Sequence, residues 1–297
     1  MATTYPLVDS HVHLDAKQFD GDRAAVLRRA CDAGVRLMVI PGVDVDHCHK
    51  ALALAQAHAE LYVAVGIHPN ETGDFDDAIL ATVEELAAHP KVVALGEIGL
   101  DYHWQRVPHA DQWAAFEAQL ALAARLGLPV IIHNREANAD VAAILSAWVA
   151  GTDFATSALA RRPYTGVMHA FSGDLALAQA AYGWNFVLSL GGPVTFTNAK
   201  ALHALVPQLA RQRLLLETDA PYLTPHPHRG QRNEPAYVAL VCAQLAALYG
   251  VTPARMAWES SRLALEFFGL TARESDLLGD APHDLDTQEA APAQESP

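Results

Sequence analysis

The chain has 297 residues, 51 % of them hydrophobic and 18 % charged, with 34 acids against 20 Lys+Arg and a formal net charge of -14. That composition excludes a disordered chain or a fibre and leaves room for one large α/β barrel or two average domains, each able to bury a core. The acid excess excludes global electrostatic capture of nucleic acid or an anionic membrane, so any phosphate must be held locally. The 15 histidines stand out, because imidazole is the commonest metal ligand and the usual proton carrier near neutral pH.

In chain order, MATTYPLVDSHVHLD reaches a strand-like run at Leu7 without the basic start and long apolar stretch of a signal peptide. Cys31, Cys48 and Cys242 are scattered with no CxxC pair, which argues against a disulfide framework or a thiolate zinc site and for a cytoplasmic protein. Eight short runs rich in Val, Ile and Leu begin at Leu7, Val35, Leu61, Val92, Pro129, Thr165, Phe186 and Leu214. Between most of them lie segments with apolar residues at helical spacing, such as Asp22 to Ala33, Asp46 to Ala59 and Gln112 to Leu126. Strand then helix, eight times over, predicts a TIM-like (β/α)8 barrel, with a doubly wound open sheet as the competing architecture. The uncharged stretch Leu175 to Ala199 is long enough for a membrane span, but its Gly, Pro and Asn residues read as helix end, strand and loop. No linker divides residues 1–270, which are expected to form one domain. From Thr271 to Pro297 the apolar periodicity stops, and seven acids against Arg273 read as an acidic disordered tail.

The histidines can then be placed. His11 and His13 are two apart along the first run, so both imidazoles face one side at the strand's C-terminal end, where barrels gather their active sites. Glu97, His133, His169 and Asp219 each close a later apolar run. Singly, each has an ordinary explanation as a surface carboxylate, a satisfied histidine or a turn. Together they bring four imidazoles and two carboxylates to the same end of five strands, a donor set suited to two hard or borderline divalent ions. His47 and His49 form a second H-x-H, but at a helix start, where residues two apart diverge; they are expected to face solvent with Asp44 or Asp46 as N-cap. His68 closes the third run and points toward the same mouth, as a substrate contact.

The blocks VDSHVHLD, GIHP, GEIGLDY, LPVIIHNREA, MHAFSG and LLLETDAPYLTPHPHRGQRNEPAYV, in that order, make the chain resemble the TatD family of metal-dependent deoxyribonucleases within the amidohydrolase-like barrels. The resemblance runs from about Leu7 to Leu270, apart from a longer segment at 150–162. It implies a TIM-like barrel that hydrolyses phosphodiesters with divalent metal, typically Mg²⁺ or Mn²⁺, with Zn²⁺ as a further candidate. By motif match, His11, His13, Glu97, His133, His169 and Asp219 take the metal-ligand places, with Glu97 as bridge. His11, His13 and Asp219 are then expected to hold one ion, and His133 and His169 the other. Asp219 is expected to accept a proton from the attacking water, making it catalytic together with Glu97, and Glu217 is placed to orient a ligand histidine.

Phosphate capture is assigned to Arg135, Arg229 and His228, with Arg232 as a further candidate whose alternative, like that of Arg229, is a surface ion pair, and the amides of FSGD as a further anion site. Two positions depart from the family pattern: Thr197 and Gln231 stand where members frequently carry Lys, which lowers the phosphate-neutralising charge. The sequence therefore predicts a binuclear exonuclease-type deoxyribonuclease that binds DNA ends or a small phosphodiester transiently, with no membrane and no obligate protein partner. The alternative is a barrel hydrolase for another ester or a cyclic amide, as in dihydroorotase-like relatives. Those commonly bridge their metals with a carboxylated lysine, which the fourth strand lacks after Lys91. A non-catalytic scaffold is the third option.

Overall fold

The structure, a computed structural model, describes residues 5–278. All eight apolar runs are strands: β1 Leu7–Asp9, β2 Val35–Ile40, β3 Leu61–Val65, β4 Val92–Asp101, β5 Val130–Arg135, β6 Gly166–Met168, β7 Phe186–Leu190 and β8 Leu214–Leu216. They pair in parallel in sequential order from β1 to β8. Helices α1 Arg23–Asp32, α2 Val45–Ala57, α3 Asp77–Ala87 and α4 His109–Leu126 follow the first four strands. Helices α5 Asn138–Ala150 and α6 Thr152–Thr156 follow β5; α6 and a 3-10 turn at Leu159–Arg161 account for the longer 150–162 segment. The remaining helices are α7 Leu175–Gly183, α8 Lys200–Leu205, α9 Val238–Tyr249, α10 Pro253–Phe268 and α11 Glu274–Leu278. The uncharged stretch from Leu175 is thus helix, strand and loop, and among the described residues no single helix is long and apolar enough to cross a membrane.

A doubly wound sheet would leave β1 away from the edge. Here β8 returns to β1, and the seam is closed by irregular bonds: Ser10 N donates to the Leu216 carbonyl at 2.9 Å and Asp219 N to the His11 carbonyl at 3.0 Å. The buried Asp9 carboxylate accepts from Thr218 N at 2.9 Å and from Thr218 Oγ1 at 2.6 Å. Replacing Thr218 with Val keeps the volume but leaves Asp9 Oδ2 a buried acceptor without its donor, so urea denaturation should show a loss of about 1–3 kcal/mol. An unchanged midpoint would mean that the seam does not depend on this bond.

Alternation along the strands divides the core in two. Val8, Val39, Ala64, Ile131, Val187 and Leu215 belong to an inner cluster to which every strand contributes, joined by Phe267 and Phe268 of α10. The Phe267 carbonyl accepts from Arg162 at 2.8 Å, just before β6, so α10 stoppers the N-terminal end of the barrel. The opposite end is left open, and the polar residues closing each run collect there. The ordered chain also runs further than expected: Thr271–Arg273 and α11 are helical, and Leu278 is buried against the inner cluster, because Leu270, Leu277 and Leu278 complete the cover begun by α10. The remainder of the expected tail, residues 279–297, lies outside the described residues.

Candidate metal centre

The six polar residues that close the apolar runs meet at the open end, although only Glu97 and His133 lie inside strands. Strand β1 ends at Asp9, and His11 and His13 occupy the extended segment beyond it. Val12 N donates to the Val39 carbonyl at 3.0 Å and its side chain is fully buried, so its two neighbours share the other face, over the barrel mouth. On β4, Gly99 has φ 143°, and a methyl there would overlap the His133 carbonyl, so glycine permits the close approach that sets Glu97 against β5. His169 follows β6 directly. Asp219 lies three residues past β8 in a left-handed conformation (φ 55°) that Asp tolerates better than most residues.

Glu97 is the hub. Its Oε2 lies 3.3 Å from His11 Nε2, while its Oε1 lies 2.6 Å from His133 Nδ1 and 3.1 Å from His169 Nε2. The two oxygens of one carboxylate thus address two groups of imidazoles. Asp219 Oδ1 is 3.4 Å from His13 Nε2 and 3.7 Å from His11 Nε2, and those two nitrogens are 3.3 Å apart. His68, expected as a substrate contact, reaches within 3.8 Å of Glu97 Oε1 and stands edge-on to His133. His11, His13 and Asp219 form one group able to hold a cation; His68, Glu97 and His133 form another.

The donor set itself tests whether ions fit. The cleft over the hub, of ≈ 730 Å³, is lined by five carboxylates (Asp15, Glu71, Glu97, Asp101, Asp219) and two guanidinium groups, those of Arg106 and Arg135. Both oxygens of the buried Asp15 and the buried Nδ1 of His11 lack a hydrogen-bond partner. Such a concentration of buried lone pairs is stable only with protons or cations among them. The imidazole nitrogens suit a borderline ion such as Zn²⁺, and the carboxylates suit Mg²⁺ or Mn²⁺.

The titration behaviour agrees. Burial alone would raise the Glu97 carboxyl, but His169, His11 and His133 together outweigh it and hold it well below the usual carboxylate range. Burial would likewise lower His133 and His169, yet Glu97 pulls both up, helped by Asp101 at His133 and by Glu217 at His169. Burial also opposes the rise at His13, which Asp219 produces. His68 goes the other way, pushed down to about 3 by burial and by His133. Cation ligation requires neutral rings, whereas the upward shifts of His13, His133 and His169 favour protonation, so ligation and protonation compete at these three residues. Calorimetry of cation binding at pH 7 in buffers of different ionisation enthalpy should show net proton release and an affinity that rises with pH; proton uptake would contradict the assignment.

Glu217 sits as expected. Its Oε1 accepts from Ala170 N at 2.8 Å and lies 3.3 Å from His169 Nδ1, which turns the ring's Nε2 toward Glu97. Arg135 lines the cleft, and of the two readings of Arg232 the ion pair is the one found, with its two Nη atoms 2.7 and 2.8 Å from Asp22. Three expectations need correction. His228 stacks on Tyr237 with ring centroids 4.4 Å apart, and the Arg229 guanidinium lies 3.7 Å from the Phe196 ring centroid, so neither lines the cleft. Aromatic surface outside the mouth has taken up both loop side chains. In the FSGD segment, Phe171 N donates to the Ser189 carbonyl at 2.9 Å, and Asp174 caps Leu177 N at 2.9 Å, which puts a carboxylate at the helix start. His47, expected in solvent, is half-buried on the cleft wall with Nδ1 2.8 Å from the Asp44 N-cap, whereas His49 is exposed as expected.

Asp101 was not among the sequence candidates. It ends β4, four residues after Glu97, and its Oδ2 lies 3.1 Å from His133 Nε2 and accepts from Asn70 at the same distance. Its signal was the alternation itself, since residues 97, 99 and 101 of one strand share a face.

A family model described as TatD related DNase matches residues 8–269. The chain belongs to that family. Among curated TatD relatives, it is 43 % identical to the "Uncharacterized metal-dependent hydrolase YabD" of Bacillus subtilis, over 83 % of this chain and 92 % of that protein. It is 35 % identical to the "3'-5' ssDNA/RNA exonuclease TatD" of Pantoea vagans, over 89 % of this chain and all of the other. The crystal structure of YJJV, a TatD homologue from Escherichia coli, superposes with a TM-score of 0.80 at 32 % identity, covering 89 % of this chain and 98 % of that one. Among the described residues, β4 offers no lysine to bridge two ions as in the alternative of a cyclic amidohydrolase. Lys91 lies before the start of β4, and its Nζ donates to the carbonyls of His58, Ala59 and Leu61.

Proposed function

We propose that this protein is a divalent-metal-dependent phosphodiesterase that removes nucleotides from the ends of single-stranded DNA or RNA, as the name of its Pantoea relative says of that protein. The observation that carries this reading is the division of Glu97, one oxygen toward His11 and the other toward His133 and His169. His11, His13 and Asp219 would hold one ion, His133 and His169 the other, with Glu97 between them and His68 beside the second. Mg²⁺ or Mn²⁺ is the expected metal, and bound there it would polarise a phosphoryl oxygen and acidify a water. The cleft's carboxylates outnumber its guanidinium groups, so two divalent ions reverse the local charge and make it attractive to phosphate. Asp219 stays ionised because His13, His169 and His11 together overcome the upward effect of burial. Its carboxylate can therefore take the proton of the attacking water while the bond from phosphorus to the sugar oxygen of the remaining strand breaks, that oxygen taking a proton from solvent and the phosphate leaving with the terminal nucleotide. Glu217 holds His169, and Asp101 holds His133. The three free cysteines, two of them buried, support a reducing cytoplasmic setting.

A panel of single-stranded DNA, a simple phosphodiester, a lactone and a cyclic amide, each with Mg²⁺ and Mn²⁺, tests the reading. Mononucleotide release from DNA and no turnover of the lactone or amide is the expected pattern. Turnover of the amide alone would overturn it.

A further inference from the structure

Among the described residues three large apolar side chains are exposed, Trp104 (46 %), Tyr222 (52 %) and Leu223 (37 %), and all three line the cleft above the metal centre. Single exposed aromatics are ordinary on protein surfaces, but their confinement to one acidic cleft is not. The two aromatic residues are also mounted alike. Asp101 ends β4, and its Oδ1 accepts from the Trp104 amide three residues on at 3.0 Å, while its Oδ2 meets His133. Asp219 follows β8, and its carbonyl accepts from the Tyr222 amide three residues on at 2.8 Å, while its carboxylate faces His13. The Tyr222 carbonyl is pinned in turn by Asn233 Nδ2 at 2.6 Å, and the ring stands edge-on to His13 with centroids 5.8 Å apart. The backbone of each residue is therefore anchored by a hydrogen bond to a carboxylate residue of the centre, Trp104 on the His133 side and Tyr222 on the His13 side.

We propose that Trp104 and Tyr222 are stacking platforms for two unpaired nucleobases, one on each side of the reacting phosphodiester; this deepens the phosphodiesterase reading and rests on it. A π-face accepts any base, so two platforms hold a strand without reading its sequence, and they need bases whose faces are free, which a duplex interior does not offer. Arg106 and Arg135 lie over the Trp104 ring, with guanidinium carbons 5.5 and 5.6 Å from its centroid, so a stacking base would displace the cleft's two cations from the ring onto its own strand's phosphates. This local arrangement suits a chain with a net charge of -14, since stacking does not depend on global attraction.

The test uses the full chain and a single-stranded oligonucleotide carrying 2-aminopurine at either of its last two positions, titrated with Ca²⁺ present. Stacking quenches the probe. The wild type should quench it at both positions, Trp104→Ala and Tyr222→Ala should each lose one, and Trp104→Phe and Tyr222→Phe should retain both. In a second arm, the preference in kcat/KM for a base-bearing end over an abasic end should fall about tenfold for each platform removed. Undiminished quenching in the double alanine variant, or an unchanged preference, overturns the platforms; so does a wild type that binds the strand without quenching. A wild type that quenches but releases no nucleotide with Mg²⁺ or Mn²⁺ supports the platforms and overturns the phosphodiesterase reading instead.

Discussion

Replacing Glu97 with alanine should reduce nucleotide release by about a thousandfold or more, because the several kcal/mol that paired ions would supply to the transition state would depend on a group placed to hold both. The residue is only 2 % exposed and touches three imidazoles, so the change also removes the charge that raises His133 and His169. Bound metal per chain should fall. The barrel should stay folded, since its inner cluster and the Asp9–Thr218 seam lie apart from Glu97. Glu97→Gln separates charge from volume: the amide fills the same space but offers one oxygen instead of two, and it should fail nearly as badly. Elemental analysis and circular dichroism on the same preparations check both halves. Activity near the parent's in either variant would remove Glu97 from the hub.

Assayed at saturating metal, so that its place as a ligand is not what is read, Asp219→Asn should lower kcat by about 10²–10⁴-fold with a much smaller effect on KM, as expected when a proton acceptor is lost and substrate binding is not. Asn tolerates the left-handed backbone that this position requires, and the amide donated to the His11 carbonyl is retained, so the seam at β8 should survive. The variant should also lose the pull that raises His13. A kcat within about threefold of the parent's would place the proton acceptor elsewhere. Asp15 is the next carboxylate to consider, because it lines the same cleft with both oxygens unpartnered.

Much of this was legible in the sequence, for a physical reason. A parallel barrel buries its strands on both faces, so each strand reads as an unbroken apolar run, and a polar residue at its C-terminal end has few places to be except the mouth. Hence His11, His13, Glu97, His133, His169 and Asp219 could be picked out, although His11, His13, His169 and Asp219 proved to lie just past their strands. Loops are different. PHPHRGQRN follows the last strand and carries the right charges, but Phe196 and Tyr237 draw Arg229 and His228 away by contacts that no local pattern encodes. Asp101 was overlooked because β4 runs for ten residues, longer than a strand that ends at its first carboxylate. Trp104 and Tyr222 were invisible for the opposite reason: in a sequence, an aromatic residue counts toward the core, and only the fold shows these two left outside it.

The most direct test of the metal centre is a titration of metal-stripped protein with Mn²⁺, following bound metal and nucleotide release from single-stranded DNA in the same samples. The stripped protein should be inactive, and release should rise with occupancy and saturate near two ions per chain. Release that persists in the stripped protein, or that saturates with no ion retained by the chain, would contradict the assignment of His11, His13, Glu97, His133, His169 and Asp219 as its ligands.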